Sequence, residues 1–221
     1  MKIGIIGAGH IGGTLTHRLR GLGHDVLVAN SRDPKTLSTL AAETGAKPVW
    51  VDEAVQAVDL IVVTIPEKNI PKLPKDLFDR VASGVVVIDT GNYYPRQRDG
   101  LIAEIEGGLP ESVWVEQQLG RPVVKVFNNI YAKHLLEFGR PKGTPERIAL
   151  PVSGDDAESK AAVMKLVDQL GFDPVDAGDL DESWRQQPGT PVYTTDLDAA
   201  GVRRALAEAT KERKSEWSAI D

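Results

Sequence analysis

Apolar residues recur along this chain in two alternating rhythms. Residues 2–7 (KIGIIG) form a near-continuous apolar run of strand length. Directly after it, Ile11, Leu15, Leu19 and Leu22 return at spacings of three and four, which aligns them on one face of a helix that Gly23 can end. The run DVLVAN (25–30) predicts the next strand. In DPKTLSTLAAETG (33–45), Asp33 suits an N-cap, Pro34 the first helical position and Gly45 the C-terminal stop. The alternation continues with KPVWV (47–51) as a third strand, DEAVQAV (52–58) as a short helix and DLIVVTIP (59–66) as a fourth strand. FDRVA (78–82) reads as the end of a helix, GVVVIDTG (84–91) as a fifth strand and PVVKVFNNI (122–130) as a sixth.

Strands apolar throughout and alternating with helices belong in a parallel sheet covered on both faces. The expected fold class is therefore α/β, an open doubly wound parallel sheet of Rossmann type. Residues 93–120 are irregular at first and then predict a helix over 112–119 ended by Gly120, forming one face of a cleft. The Gly, Pro and charge-rich stretch 139–147 marks a boundary. Beyond it come a strand (148–154), a helix (155–171) with an Asp155/Glu158 capping box, a strand (173–178) and a terminal helix (196–217) with a charged end. This divides the chain into a dinucleotide-binding domain, 1–147, and a small C-terminal α/β lobe, 148–221.

The 221 residues are ample for a buried core, and 41% hydrophobic with 26% charged residues is the balance of a globular protein. No segment has the length of apolar run a membrane span needs. The chain has no cysteine, which removes thiol catalysis, disulfides and cysteine metal sites, and no metal-ligand constellation is evident. With no leader pattern the expected location is the cytoplasm. A net charge of −6 argues against nucleic acid as a partner.

Gly7, Gly9 and Gly12 follow a strand and open a helix, the context that gives a glycine triplet meaning. Gly7 permits the tight turn, Gly9 lets a pyrophosphate approach, and Gly12 lets helix and strand pack closely. The helix start, with His10 and Ile11 between the glycines, offers free N–H groups to phosphate; His10 lends backbone rather than imidazole. At the end of the second strand, where an NAD-binding protein places Asp or Glu, the chain has Asn30, Ser31 and Arg32. A carboxylate repels a 2′-phosphate, whereas Ser31 can hydrogen-bond it and Arg32 can grip it, so the cofactor expected is NADP(H). The plainer alternatives are a ligand-free glycine turn and an Arg32 that is only a solvated turn charge.

The stretches GIIGAGHIGGTLTHRL, NSRDP, LIVVTIP, VVVIDTGN, VVKVFNNI and LPVSGDD followed by LGFDPVDAG resemble the F420-dependent NADP oxidoreductase family (NADPH-dependent F420 reductases). The nucleotide domain is also similar to the oxidoreductase domain of the STEAP metalloreductases. The resemblance runs from Met1 to about Gly178. It implies phosphate contacts from Gly9 to Gly12, 2′-phosphate contacts from Ser31 and Arg32, cofactor contacts from Ile65 and Pro66, and Asn92 and Ala132 near the nicotinamide. It further implies direct hydride transfer between NADPH and a deazaflavin, and a homodimer. The insert at 93–118 and the tail at 181–193 depart from the family pattern and bear on the second substrate.

In an open α/β sheet the ligand lies beyond the carboxyl ends of the strands. The loops after strands four, five and six then place Ile65, Pro66, Asn92, Asn128 and Ile130 around the nicotinamide, with Trp184 and the C-terminal lobe opposite. Hydride transfer needs no protein nucleophile, so no catalytic residue is assigned. His134 is more readily structural, and Asp155 and Asp156 are explained by capping. The expected activity is an NADP(H)-dependent oxidoreductase passing hydride to a small-molecule acceptor, either F420 or a flavin. An NADPH-dependent flavin or ferric reductase, or an NADP(H)-binding sensor without turnover, remain as alternatives.

Overall fold

The computed structural model describes residues 1–220. Strand β1 (Lys2–Ile6) leads into helix α1 (His10–Gly21), then β2 (Asp25–Ala29), α2 (Ser38–Thr44), β3 (Lys47–Pro48), α3 (Val51–Ala54), β4 (Leu60–Val63) and β5 (Val86–Asp89). After β5 come α4 (Ala103–Glu106), α5 (Glu111–Leu119) and β6 (Val124–Lys125). These six strands form one sheet in the order β3-β2-β1-β4-β5-β6, all parallel, with Ile3 level with Val26 on one side and Leu60 on the other. That is the Rossmann order, with β1 and β4 at the point where the winding reverses.

The side chains explain the layers. Ile3, Ile5, Leu60 and Val62 enter one core with Leu15 and Leu19 of α1, while Ile6, Ile61 and Val63 enter the other with Ala54, Trp114 and Val115. Strict alternation along strands apolar at every position is what double coverage requires. Each such side chain contributes roughly 1.5–3 kcal/mol by leaving water.

Beyond β6 the chain forms α6 (Ala132–Glu137), β7 (Ala149–Val152), α7 (Ala157–Gln169), β8 (Asp173–Asp176) and α8 (Ala199–Glu208). Strands β7 and β8 make a separate two-stranded parallel sheet. Ile148, Leu150 and Val152 share the core that holds Leu15 and Leu19. Lys125 and Ser153 exchange backbone hydrogen bonds of 2.8 and 3.1 Å, which occupies the free edge of β6.

Several expected elements take a different form. No helix forms at 78–82: Glu67–Lys72 is a 3-10 turn containing Pro71, and turns follow. Pro66, Pro71 and Pro74 remove three amide donors from this short stretch, while Leu77, Phe78 and Val81 still anchor it to the core. Strands β3 and β6 shrink to two residues each. Asp33 caps a 3-10 turn, Pro34–Leu37, rather than α2 itself, accepting from the Lys35 amide at 2.8 Å. Helix α7 is capped one residue later than the expected box: Asp156 accepts from the Ser159 amide at 2.7 Å. Asp155 instead accepts from the Leu180 amide at 2.7 Å, tying the tail to the start of α7. The terminal helix ends at Glu208, and a short turn at Ser215–Trp217 packs beside the insert.

Candidate functional site

The turn between β1 and α1 separates what the protein demands from what it leaves open. Gly7 has φ +112°, and a Cβ there would overlap the Thr64 carbonyl; a Cβ on Gly12 would overlap the Gly7 carbonyl. Both glycines are therefore fixed by packing. A Cβ on Gly9 would meet no atom within 4 Å. Gly9 is also the N-cap of α1 and supplies no side-chain hydrogen bond, and the first internal bond of the helix runs from the Gly13 amide to the Gly9 carbonyl at 2.8 Å. The amides of His10, Ile11 and Gly12 thus lack helical partners beside open space, the arrangement that receives phosphate. His10 is exposed and Ile11 half-buried.

This turn opens into a cleft of about 620 Å³ whose lining includes Gly7, Gly9, Asn30, Ser31, Ile65 and Pro66. At the end of β2, Asn30 shapes the chain: its Oδ1 accepts from the Arg32 amide at 2.8 Å and its Nδ2 donates to Thr36 Oγ1 at 3.0 Å. Ser31 and Arg32 are exposed, and Arg32 has no ion pair among the described residues. The nearby carboxylate, Asp33, is occupied by its cap.

The loops after β5 and β6 converge through amides. Asn92 Nδ2 donates to the Asn128 carbonyl at 2.8 Å, and Asn128 Nδ2 donates to Asn92 Oδ1 at 3.1 Å and to the Gln186 carbonyl at 2.6 Å. Gln186 Nε2 returns a bond of 3.0 Å to Asn128 Oδ1, and Ser153 Oγ donates to Gln186 Oε1 at 3.1 Å. Asn128 is only 4% exposed, and Ile130 packs in the core at 5%. These two knit and support the loops, whereas Asn92 and Ala132 are half-buried. Trp184 stands elsewhere than expected. It lines a pocket with Leu109 and Lys211 that shares no residue with the cleft, and Arg185 and Lys211 lie over its ring. His134 stacks on Phe138 and places Nδ1 2.7 Å from Asp196, a packing role.

Beneath the loops lies a buried charge cluster that the apolar pattern concealed. Asp89 and Lys125 sit level on β5 and β6; Lys125 Nζ donates to Asp89 Oδ2 at 3.0 Å and to the Gly91 carbonyl at 2.6 Å. Ser112 donates to Asp89 Oδ2 at 2.7 Å, and Arg213 donates to the buried Glu111 at 3.2 Å. Glu67 is fully buried with neither carboxyl oxygen bonded. Burial, then the Asp89 charge, push its pKa well above the usual carboxylate range, against the pull of Lys125. Burial works against the Lys125 ammonium, but Asp89, Glu67 and Glu111 together outweigh it and raise its pKa. The only sequence signal was a charge closing each of two valine-rich strands, VVVID and VVK. Tyr94 and Tyr193 meet hydroxyl to hydroxyl beside Trp217, joining the insert to the tail.

Residues 2–93 match the model of the family described as NADP oxidoreductase, coenzyme F420-dependent. Among curated proteins, YjhV of Escherichia coli (strain K12) is 46% identical over 71 residues, 32% of this chain and 52% of YjhV. The metalloreductase STEAP3 of Rattus norvegicus is 30% identical over 81% of this chain and 34% of its own length. The chain thus spans about half of the first relative and a third of the second. Among solved structures, a hypothetical protein from Sinorhizobium meliloti is 31% identical with a TM-score of 0.75, covering 89% of this chain and 95% of that one. A candidate F420-dependent NADP reductase from Arthrobacter sp. FB24 is 25% identical with a TM-score of 0.66, covering 81% and 86%. A solved relative matched over nearly its whole length, and a family model laid across the glycine turn and the Ser31–Arg32 pair, lead to one conclusion: the chain belongs to the family of coenzyme F420-dependent NADP oxidoreductases.

Proposed function

We propose that this protein is an NADP(H)-dependent oxidoreductase that moves hydride between NADPH and a deazaflavin or flavin acceptor. The observation that carries the reading is the cleft itself: Gly9 faces open space at an uncapped helix start, and the end of β2 offers exposed Ser31 and Arg32. These residues fit the cofactor. The amides of His10 to Gly12 would hold its pyrophosphate, Ser31 and Arg32 its 2′-phosphate, and Ile65 and Pro66 would wall the cleft toward the reacting end. Bound NADPH supplies the hydride.

The protein's share of the work is orientation and exclusion of water. The amide lattice of Asn92, Asn128 and Gln186 fixes the loops after β5 and β6 against the tail. Beneath those loops the buried Glu67, its pKa raised by burial, and the paired Asp89 and Lys125 present no exposed acid or base. Such a wall suits a planar ring laid against the nicotinamide. Family membership and the Arthrobacter relative support a deazaflavin as that ring.

Steady-state NADPH oxidation with F420, FMN, FAD and ferric chelates offered separately tests the reading. Turnover with F420 or a flavin is expected. Tight NADPH binding with no oxidation by any acceptor would overturn it in favour of a sensor.

A further inference from the structure

The nucleotide cleft has a second wall that the family motifs do not touch. Besides Asn30 and Ser31 the cleft is lined by Asn69, Lys72, Leu73 and Pro74. Among the described residues Lys72 is the only charged one lining this cleft, and no Asp or Glu lines it, in a chain of net charge −6. The Lys72 ammonium is held by a neutral partner, Asn69 Oδ1, at 3.0 Å, and has no ion pair among the described residues. The local fold explains the pairing. Glu67–Lys72 is a 3-10 turn, in which residues three apart eclipse, so Asn69 stands under Lys72 on the same face. The chain then runs on through Pro74 and Leu77, which line a neighbouring pocket with Asp52 and Val55 beside α3. The start of this turn leans toward β5, where Lys68 donates to the Arg98 carbonyl, and its far end leans through Pro74 toward α3, so Lys72 stands between them in the cleft that Ser31 also lines.

We infer that Lys72 is a second cation for the 2′-phosphate of NADP(H), closing on it from within the cleft that Ser31 also lines. This rests on the NADP(H) reading above and deepens it. A phosphomonoester carries close to two negative charges and offers three acceptor oxygens, more than Ser31 and Arg32 alone satisfy. An exposed lysine supplies a mobile point charge that closes on the anion after entry, while the planar Arg32 guanidinium sets direction. Asn69 is the positioning residue that keeps Nζ over the cleft.

Calorimetric titration of the full chain and of Lys72→Gln, Lys72→Arg and Arg32→Ala with NADPH, NADH, adenosine 2′,5′-bisphosphate and ADP tests the inference. Lys72→Gln is expected to weaken NADPH and adenosine 2′,5′-bisphosphate by about tenfold, the loss of one partly solvated charge-assisted contact. NADH and ADP should stay within about twofold on the same scale, Lys72→Arg should restore most of the loss, and the melting temperature should not move. Equal weakening of NADPH and NADH would overturn the inference by placing Lys72 on the pyrophosphate, and no weakening of either would overturn it outright. Both outcomes leave the NADP(H) reading standing so long as the unmodified protein prefers NADPH and Arg32→Ala abolishes that preference. Absence of any preference in the unmodified protein would overturn the two together.

Discussion

Gly9 and Gly12 occupy the same turn and answer to different masters. A Cβ on Gly12 would overlap the Gly7 carbonyl, so Gly12→Ala must push the start of α1 away from β1, an overpacking cost of about 1–3 kcal/mol. Gly9 has φ −75° and empty space where a Cβ would go, so Gly9→Ala leaves the fold intact and intrudes only on the phosphate's approach. Thermal unfolding beside NADPH titration separates them. Gly12→Ala should lower the melting temperature, and Gly9→Ala should weaken NADPH binding at an unchanged melting temperature. The packing tasks of Gly7 and Gly12 are legible in the sequence because each is local: a turn and a helix contact lie within six residues.

Among elements, β1, α1, β2, β4 and β5 were legible because their signals are contiguous in sequence. β3 and β6 were over-read. Pro48 cannot donate to a ladder, and Lys125 turns its backbone to Ser153, a partner far along the chain that no local pattern shows. Asn128 illustrates the same limit at the candidate site. Position in the loop after β6 was foreseen, but its burial depends on Gln186, fifty-eight residues away. Replacing it leaves the buried Gln186 Nε2 donor and Gln186 carbonyl without their partner. Asn128→Leu should therefore cost about 1–3 kcal/mol of stability, read from urea unfolding, and slow hydride transfer more than it weakens NADPH binding.

At the scale of the whole molecule, charge is sorted in a way that net charge conceals. Among the described residues no carboxylate lines the nucleotide cleft, yet carboxylates gather in the interior, where Glu67, Asp89 and Glu111 surround Lys125. Glu67 holds its proton to a pH well above the value at which the unfolded chain releases it. Across that window the unfolded state binds fewer protons than the folded one, so the contribution of Glu67 to stability is lost as pH rises from about 4.5 through its raised folded-state pKa. Glu67→Gln keeps the shape and removes the proton, so it should flatten this decline. Melting temperatures measured from pH 5 to pH 8 should favour the variant increasingly at the alkaline end, and parallel curves would show that Glu67 is not neutral in the fold. The insert and the tail were opaque in sequence because each is ordered by residues far along the chain: Tyr94 meets Tyr193, and Glu111 receives Arg213 from beyond α8.

Recognition of NADP(H) through the end of β2 is what the proposed function stands on. Titration of the unmodified protein and of Arg32→Ala with NADPH and NADH side by side tests it most directly. The unmodified protein should bind NADPH at least about tenfold more tightly than NADH, and Arg32→Ala should bring NADPH down toward the NADH value while leaving NADH unchanged. Equal affinities for the two nucleotides in the unmodified protein would contradict it.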